Sequence, residues 1–332
     1  MPSLGYGCTQ LTTFKHRREA VRLLEHAFAE GITHYDVARG YGFGRAEGIL
    51  GEFLKGKRQR LTLATKFGLQ PPVGLAGNRF VIDGIKRILR PFPGLLRRAK
   101  SQGSAMVKSG MFDPAIAVAS LEKSLRELGT DYIDFFLLHE AQLSDAANEG
   151  LIEILQAQVA GGKIRSFGIA SAFEKLQRDA SLLPPPYRII QFDDDAVTRN
   201  VSKLAHTEGR TLITHSIFKP LALLRAAVRE RPDVVQKFSS RMQLDVADER
   251  VLGSLLLHHA LGGCARFVLF STTNPARVTE NLRDAASSPY DEKQLAIFTS
   301  LVEELLGQRS ANRHPGTPSS ADLQPPNLEN AS

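Results

Sequence analysis

Asp36, Tyr41, Lys66 and His139 are the residues best placed to do chemistry, because three of them stand at the ends of apolar runs and the fourth follows in a glycine-rich turn. Asp36 lies near the end of THYDV, Lys66 near the end of LTLATKF and His139 at the end of YIDFFLLH, while Tyr41 lies in DVARGYG. A carboxylate and an ammonium within reach of each other in a partly buried setting stabilise each other's charge. Asp36 and Lys66 end consecutive runs and fit such a pair. A phenol with its ordinary pKa of about 10 is a poor acid or base at neutral pH until a nearby cation favours its ionised form. Lys66 supplies that cation to Tyr41, and His139 is then placed to donate a hydrogen bond to a carbonyl and orient it. Taken alone, the Asp36–Lys66 pair reads equally well as a structural ion pair, and His139 as a satisfied buried histidine. Together, the four form a site candidate.

Such convergence requires a fold that gathers the ends of distant strands. Short β-rich runs alternate with stretches of helical period along the chain. Leu4–Cys8, Thr33–Val37, Leu61–Phe67 and Tyr132–His139 read as strands, followed by IRSFGIA, YRIIQF, TLITHS and ARFVLFS. A helix near Arg17–Glu30 places Val21, Leu24 and Phe28 on one face, with Gly31 just past its end. The next helix turns Ile49, Leu50, Phe53 and Leu54 inward. Asp113 caps a third, Pro114 opens it, Val118, Leu121, Leu125 and Leu128 follow at helical spacing, and Gly129 stops it. Each later strand is followed by a plausible helix, the last opening at Asn274-Pro275, and a final helix near Asp291–Leu306 covers the barrel bottom or side. Eight such units predict one α/β domain over residues 1–307, a closed (β/α)8 TIM barrel rather than a doubly wound sheet. No GxGxxG follows any strand. Functional side chains of such a barrel stand at the C-terminal ends of the strands. That rule selects Cys8, Asp36, Lys66, His139, Ser171, Gln191, His215 and Ser271.

Composition narrows the classes. The 332 residues are 42% apolar and 23% charged, which excludes collagen-like, coiled-coil and wholly disordered chains. No apolar run approaches the ~18 residues of a membrane span, and MPSLGYG has neither a basic nor an apolar signal region, so the expectation is a cytoplasmic protein without a transmembrane segment. Two cysteines with no Cys/His spacing predict reduced thiols and no metal site. The net charge of +7 resides entirely between Leu69 and Met111, where eight basic residues face one acid, Asp83. The rest of the chain is balanced, which argues against a nucleic-acid partner. This basic insertion follows the Lys66 strand, so chain position favours a lid over the mouth, ahead of a membrane-surface helix or a partner site, and its charge would favour anionic substrates. Residues 308–332, rich in Pro, Ser, Asn and Ala, predict a disordered tail. The pattern carries no signature of an oligomeric state.

GITHYDVARGYGFGRAEGILGEFL, LATKFG, LGTDYIDFFLLH, GKIRSFGIAS and STTNPARVTENL, in this order, resemble the aldo-keto reductase superfamily from about Leu4 to Ala286, the basic segment excluded. The resemblance implies metal-free, NAD(P)H-dependent reduction of a small aldehyde or ketone, or the reverse reaction. It implies that Tyr41 is the general acid, that Lys66 paired with Asp36 lowers its pKa, and that His139 orients and polarises the carbonyl. Ser171 and Gln191 match carboxamide contacts, and Gly7, Asp36 and Ser216 match further cofactor contacts. His215 stands where the family usually stacks an aromatic ring. Asn274 and Pro275 open a helix whose free N–H groups make an anion site. By resemblance, Ser271, Thr272, Arg277 and Asn281 hold the adenosine ribose and its 2′-phosphate, which favours NADPH over NADH. Three departures accompany it: Ser271 replaces a frequent lysine, Ala172 replaces the asparagine of a Ser-Asn pair, and His215 adds a titratable ring. Two rivals come from other classes: a Schiff-base lyase using Lys66 as nucleophile, and a cofactor-binding regulatory subunit with little turnover.

Overall fold

Eight parallel strands pair in sequence order and close on themselves, β8 returning to β1. They are β1 (Ser3–Gly7), β2 (His34–Asp36), β3 (Thr62–Phe67), β4 (Ile133–His139), β5 (Ile164–Ala170), β6 (Ile189–Asp193), β7 (Thr211–His215) and β8 (Phe267–Phe270). This computed structural model describes residues 2–69, 111–287 and 289–311. The (β/α)8 barrel expected from the sequence is the fold observed. The basic insertion, at residues 70–110, and the tail from residue 312 lie outside the described residues, and so do the lid and disorder readings placed on them.

Alternation along each strand sorts side chains between two cores. Leu137, Ala170, Ile189, Ile213, Phe267 and Leu269 fill the barrel interior. The opposite faces pack against the helices, as Tyr35 does between Tyr6 and Phe53. The described helices are α1 (Arg17–Ala29), α2 (Ala46–Leu54), α3 (Pro114–Leu128), α4 (Leu143–Ala146), α5 (Glu149–Ala160), α6 (Leu221–Glu230), α7 (Pro232–Met242), α8 (Glu249–Leu261), α9 (Pro275–Ala286) and α10 (Glu292–Ala311). The α3 ends are as expected: the Asp113 carboxylate accepts from the Ala115 amide at 2.8 Å, and Gly129 takes the left-handed conformation at φ 63°.

Two expectations need correction. No α-helix follows β5 or β6, only 3-10 turns at Phe173–Leu176, Ala180–Leu182 and Asn200–Lys203. The run Pro184-Pro185-Pro186 lacks the donors a helix needs, and the carboxylates after β6 take backbone donors for themselves. Asp195 Oδ1 accepts from the amides of Val197 and Thr198, and Asp194 Oδ1 from that of Val201. Second, α10 continues to Ala311, past both the expected helix end and the expected tail boundary. Of the two places expected for it, bottom or side, α10 takes the side, packing on α6, α7 and α8 in a separate core that contains Leu224, Phe238, Leu255, Phe298 and Leu301.

One polar residue is sealed among the apolar side chains of the barrel. His34 is fully buried, stacks on Phe267 at 4.1 Å, and has no partner for either ring nitrogen. Burial pushes its pKa down to about 4. The neutral ring is therefore the folded form, and the unfolded chain binds the proton more tightly. Stability from this source is complete above the ordinary histidine pKa of about 6.5 and is lost as pH falls toward 4, by about 3 kcal/mol at pH 4. His34→Leu should remove about 2 kcal/mol of the stability difference between pH 7 and pH 4.5 in urea titrations. An unchanged difference would refute this assignment.

Candidate active site

The mouth of the barrel is built from short β-to-α connections. After β2 the chain turns through Gly42, Phe43 and Gly44, all left-handed at φ 57°, 58° and 85°. Gly42 is obligatory there for a second reason, since a Cβ on it would fall 2.1 Å from the Thr12 side chain. This turn holds Tyr41 over the strand ends. Lys66 pairs with Asp36, and its Nζ also donates to the Val37 carbonyl at 3.2 Å and to the Tyr41 hydroxyl at 3.4 Å. Both charged partners are almost wholly buried, at 3% and 2% exposure. Asp36 accepts a further hydrogen bond from Gln191 Nε2 at 3.1 Å. Across the mouth the rings of His139 and Tyr41 meet edge to face, with centroids 5.9 Å apart.

The electrostatics correct one expectation. Burial raises the Tyr41 pKa, and the neighbouring Lys66, although it pulls the other way, does not win; the phenol stays above its ordinary value. Low dielectric opposes an anion beside the Asp36 carboxylate more than one ammonium favours it. Tyr41 is therefore a fully protonated donor at neutral pH. Burial also opposes the Lys66 charge, but Asp36 and Tyr41 outweigh it and raise the Lys66 pKa. Burial, with Lys66, His215 and Lys175 adding to it, lowers His139 to about 3, so its imidazole is neutral.

Two adjoining cavities collect the candidate catalytic residues and the candidate cofactor contacts, whereas Cys8, also picked out by its place at a strand end, lines neither and is buried in the core. The first, of ≈ 400 Å³, is lined by Gly7, Asp36, Tyr41, Lys66, His139, Ser171, Gln191, His215, Ser216 and Ser271. The second, of ≈ 410 Å³, is lined by Ser271, Thr272, Arg277 and Asn281. Ser271 and Phe218 line both, so an extended ligand can run from one to the other. Within the first, Gln191 Oε1 is buried and without a partner, an acceptor suited to an amide N–H. Ser171 Oγ donates to the Ala141 carbonyl at 2.8 Å, which leaves its oxygen free to accept. Ser216 fixes the His215 ring through a 2.8 Å contact to Nδ1. At the second cavity Asn274 caps α9, accepting from the Ala276 amide at 3.0 Å.

Sequence reasoning missed several lining residues. Thr9, Glu140 and Lys219 border the first cavity, all within five residues of strand ends, where a wider reading of the strand-end rule would have found them. Arg225, Glu249 and Arg250 border the second. The α8 pair had no sequence signal, because α8 precedes β8 and only its antiparallel run brings its first turn to the mouth. Glu249 pairs with Arg225 and lies 4.0 Å from Arg277, which also meets Glu280 at 3.1 Å.

Eight parallel strands closed into a barrel, with a buried acid–base cluster and two adjoining cavities at the C-terminal mouth, define a (β/α)8 barrel with a candidate active site where such barrels carry theirs. The family model for the aldo/keto reductase family matches residues 3–303. The chain belongs to that family. An uncharacterized oxidoreductase of Bacillus subtilis, YqkF, is 33% identical over 170 residues, which cover 51% of this chain and 44% of that protein. The chain thus spans less than half the length of that curated relative. Among solved structures, the holo form of aldo-keto reductase AKR11C1 from Bacillus halodurans superposes with a TM-score of 0.64 at 22% identity, covering 90% of this chain and 91% of that one. An aldo-keto reductase from Klebsiella pneumoniae in complex with NADPH superposes with a TM-score of 0.59 at 18% identity, covering 92% and 91%. These likenesses establish the fold. No described helix is long and apolar enough to cross a membrane.

Proposed function

We propose that this protein reduces a small aldehyde or ketone to an alcohol, or runs the reverse reaction, with a nicotinamide dinucleotide bound across the two cavities. The observation that carries this reading is the Tyr41 hydroxyl 3.4 Å from the Lys66 ammonium and its ring edge to face with His139, at one cavity. A bound reduced nicotinamide supplies the hydride. Gln191 and Ser171 would hold its carboxamide, and Gly7, His215 and Ser216 would surround its ring and ribose. Tyr41 donates its proton to the carbonyl oxygen, and Lys66 stabilises the phenolate left behind. Asp36 keeps Lys66 charged and in place. His139 donates a hydrogen bond to the same oxygen and sets the carbonyl orientation.

The Schiff-base alternative fits less well. A nucleophilic lysine needs a lowered pKa, whereas Asp36 and Tyr41 raise that of Lys66. The regulatory alternative keeps a foothold in Ala172, which offers no side-chain amide to the cofactor. Nucleotide titration followed by turnover against a panel of aldehydes and ketones separates them. Saturable binding with substrate-dependent nucleotide oxidation supports the reductase; saturable binding with no oxidation on any carbonyl favours the regulatory subunit.

NADPH is the proposed cofactor, held at its 2′-phosphate by Ser271, Thr272, Arg277 and Asn281. The Klebsiella pneumoniae relative of the same fold holds NADPH. In this chain Arg277 is flanked by the Glu280 and Glu249 carboxylates, which repel a phosphate. Glu249→Gln should tighten NADPH by about 3- to 5-fold, in keeping with the modest worth of an exposed charge contact, and leave NADH unchanged. Equal effects on both nucleotides would show that Glu249 does not face the phosphate.

A further inference from the structure

The glycine-rich turn that carries Tyr41 is closed by local hydrogen bonds, from the Tyr41 amide to the Ala38 carbonyl at 3.0 Å, from the Phe43 amide to that of Gly40 at 3.3 Å, and from the Arg45 amide and Nε to that of Gly42 at 3.4 and 3.2 Å. Three consecutive left-handed residues follow Tyr41, one of them Phe43, and left-handed backbone persists in such a residue only where the surroundings impose it. Behind the turn, a buried polar hub joins its two ends. Glu47, in the first turn of α2, is 0% exposed, and Arg39, two residues before Tyr41, is 7% exposed. Arg39 Nη1 donates to Glu47 Oε2 at 2.7 Å, while Thr65 and Ser124 donate to Oε1 at 2.7 Å each. One carboxylate thus fastens both ends of the Tyr41 turn to each other, to α3, and to the residue immediately before Lys66. The Arg39 amide also donates to the Lys66 carbonyl at 3.3 Å.

Stability does not account for the hub. Burying a carboxylate and a guanidinium costs several kcal/mol in desolvation, and apolar replacements of buried ion pairs are often neutral or stabilising. What such a hub supplies instead is fixed geometry, since each of its hydrogen bonds has a narrow range of distance and angle. We propose that Glu47 is a positioning residue for the reduction, setting the distance between the Tyr41 hydroxyl and Lys66 through Arg39 on one side and Thr65 on the other. This rests on the reductase reading given above.

The test compares wild type, Thr65→Val and the double variant Glu47→Gln/Arg39→Met, which removes both buried charges together so that neither is left unpaired. The double variant should remain folded with a melting temperature near that of wild type, and kcat should fall about 10- to 100-fold, the scale of a misplacement of about 1 Å at a reacting group. The Kd for NADPH, measured by direct titration, should change by less than about 2-fold, because no hub residue lines either cavity. Thr65→Val, which deletes one hydrogen bond, should show a smaller loss of kcat with the same indifference in Kd. Amide hydrogen exchange should quicken at residues 39–45 and at the end of β3, and stay unchanged in α9.

Wild-type kcat and exchange in the folded double variant would overturn the proposal, as would losses of kcat and nucleotide affinity in equal measure. Should the double variant fail to fold, Thr65→Val with unchanged kcat and exchange overturns it alone. A wild-type protein without turnover would instead count against the reductase reading, and the exchange measurement would still decide whether the hub fixes the turn.

Discussion

Tyr41→Phe should lower kcat for carbonyl reduction by about 10²- to 10⁴-fold, the usual contribution of a positioned general acid, with the nucleotide binding as before. The substitution removes one O–H and keeps the ring, so the edge-to-face contact with His139 survives. It leaves Lys66 with Asp36 and the Val37 carbonyl, so the buried ion pair remains satisfied and the fold should hold. Burial keeps the phenol of the wild type protonated through neutral pH. The loss should therefore be nearly constant across neutral pH rather than confined to its alkaline side. Steady-state kinetics beside a nucleotide titration check both halves, and a variant within about tenfold of wild type would place the proton donor elsewhere.

Lys66→Met has the second large effect, and it falls on stability as well as rate. Asp36 would keep Gln191 as a hydrogen-bond donor but lose its only counter-ion among the described residues while remaining buried. Breaking a buried pair from one side costs about 3–5 kcal/mol, because the remaining charge is uncompensated. Urea denaturation should show that loss, and turnover should vanish with it. Asp36→Asn/Lys66→Met should recover most of the stability, since no lone charge remains, and none of the activity. A single variant as stable as wild type would mean that water reaches Asp36, contrary to its burial.

The candidate catalytic cluster was legible because Asp36, Lys66 and His139 interrupt apolar runs at their ends, a pattern that parallel barrel strands make legible. The alternation of strands and helices carried the barrel, and cap chemistry at Asp113, Gly129 and Asn274 carried helix boundaries. The connection after β6 was not legible as a 3-10 turn, because the side-chain hydrogen bonds of Asp194 and Asp195 compete with helix formation only in the folded register, whereas the Pro184-Pro185-Pro186 run after β5 was there to be read. Glu47 was missed for the opposite reason. A glutamate in AEGILGEFL reads as a solvated helix residue, and only the approach of Arg39, Thr65 and Ser124 reveals a buried acceptor. The direction of the Tyr41 shift was not legible either, since it turns on the depth of burial rather than on which charge is nearest.

The most direct test of the account is a single-turnover transfer experiment. NADPH carrying deuterium at both C4 positions is bound to excess protein, mixed with a panel of aldehydes and ketones, and the alcohol product is weighed by mass spectrometry. The nicotinamide's own fluorescence reports both binding and oxidation. Hydride transfer from the bound nucleotide should give an alcohol one mass unit heavier than that from unlabelled nucleotide, formed at a rate that collapses in Tyr41→Phe. A bound nucleotide that keeps its label against every carbonyl, or a borohydride-trapped adduct on Lys66, would contradict it.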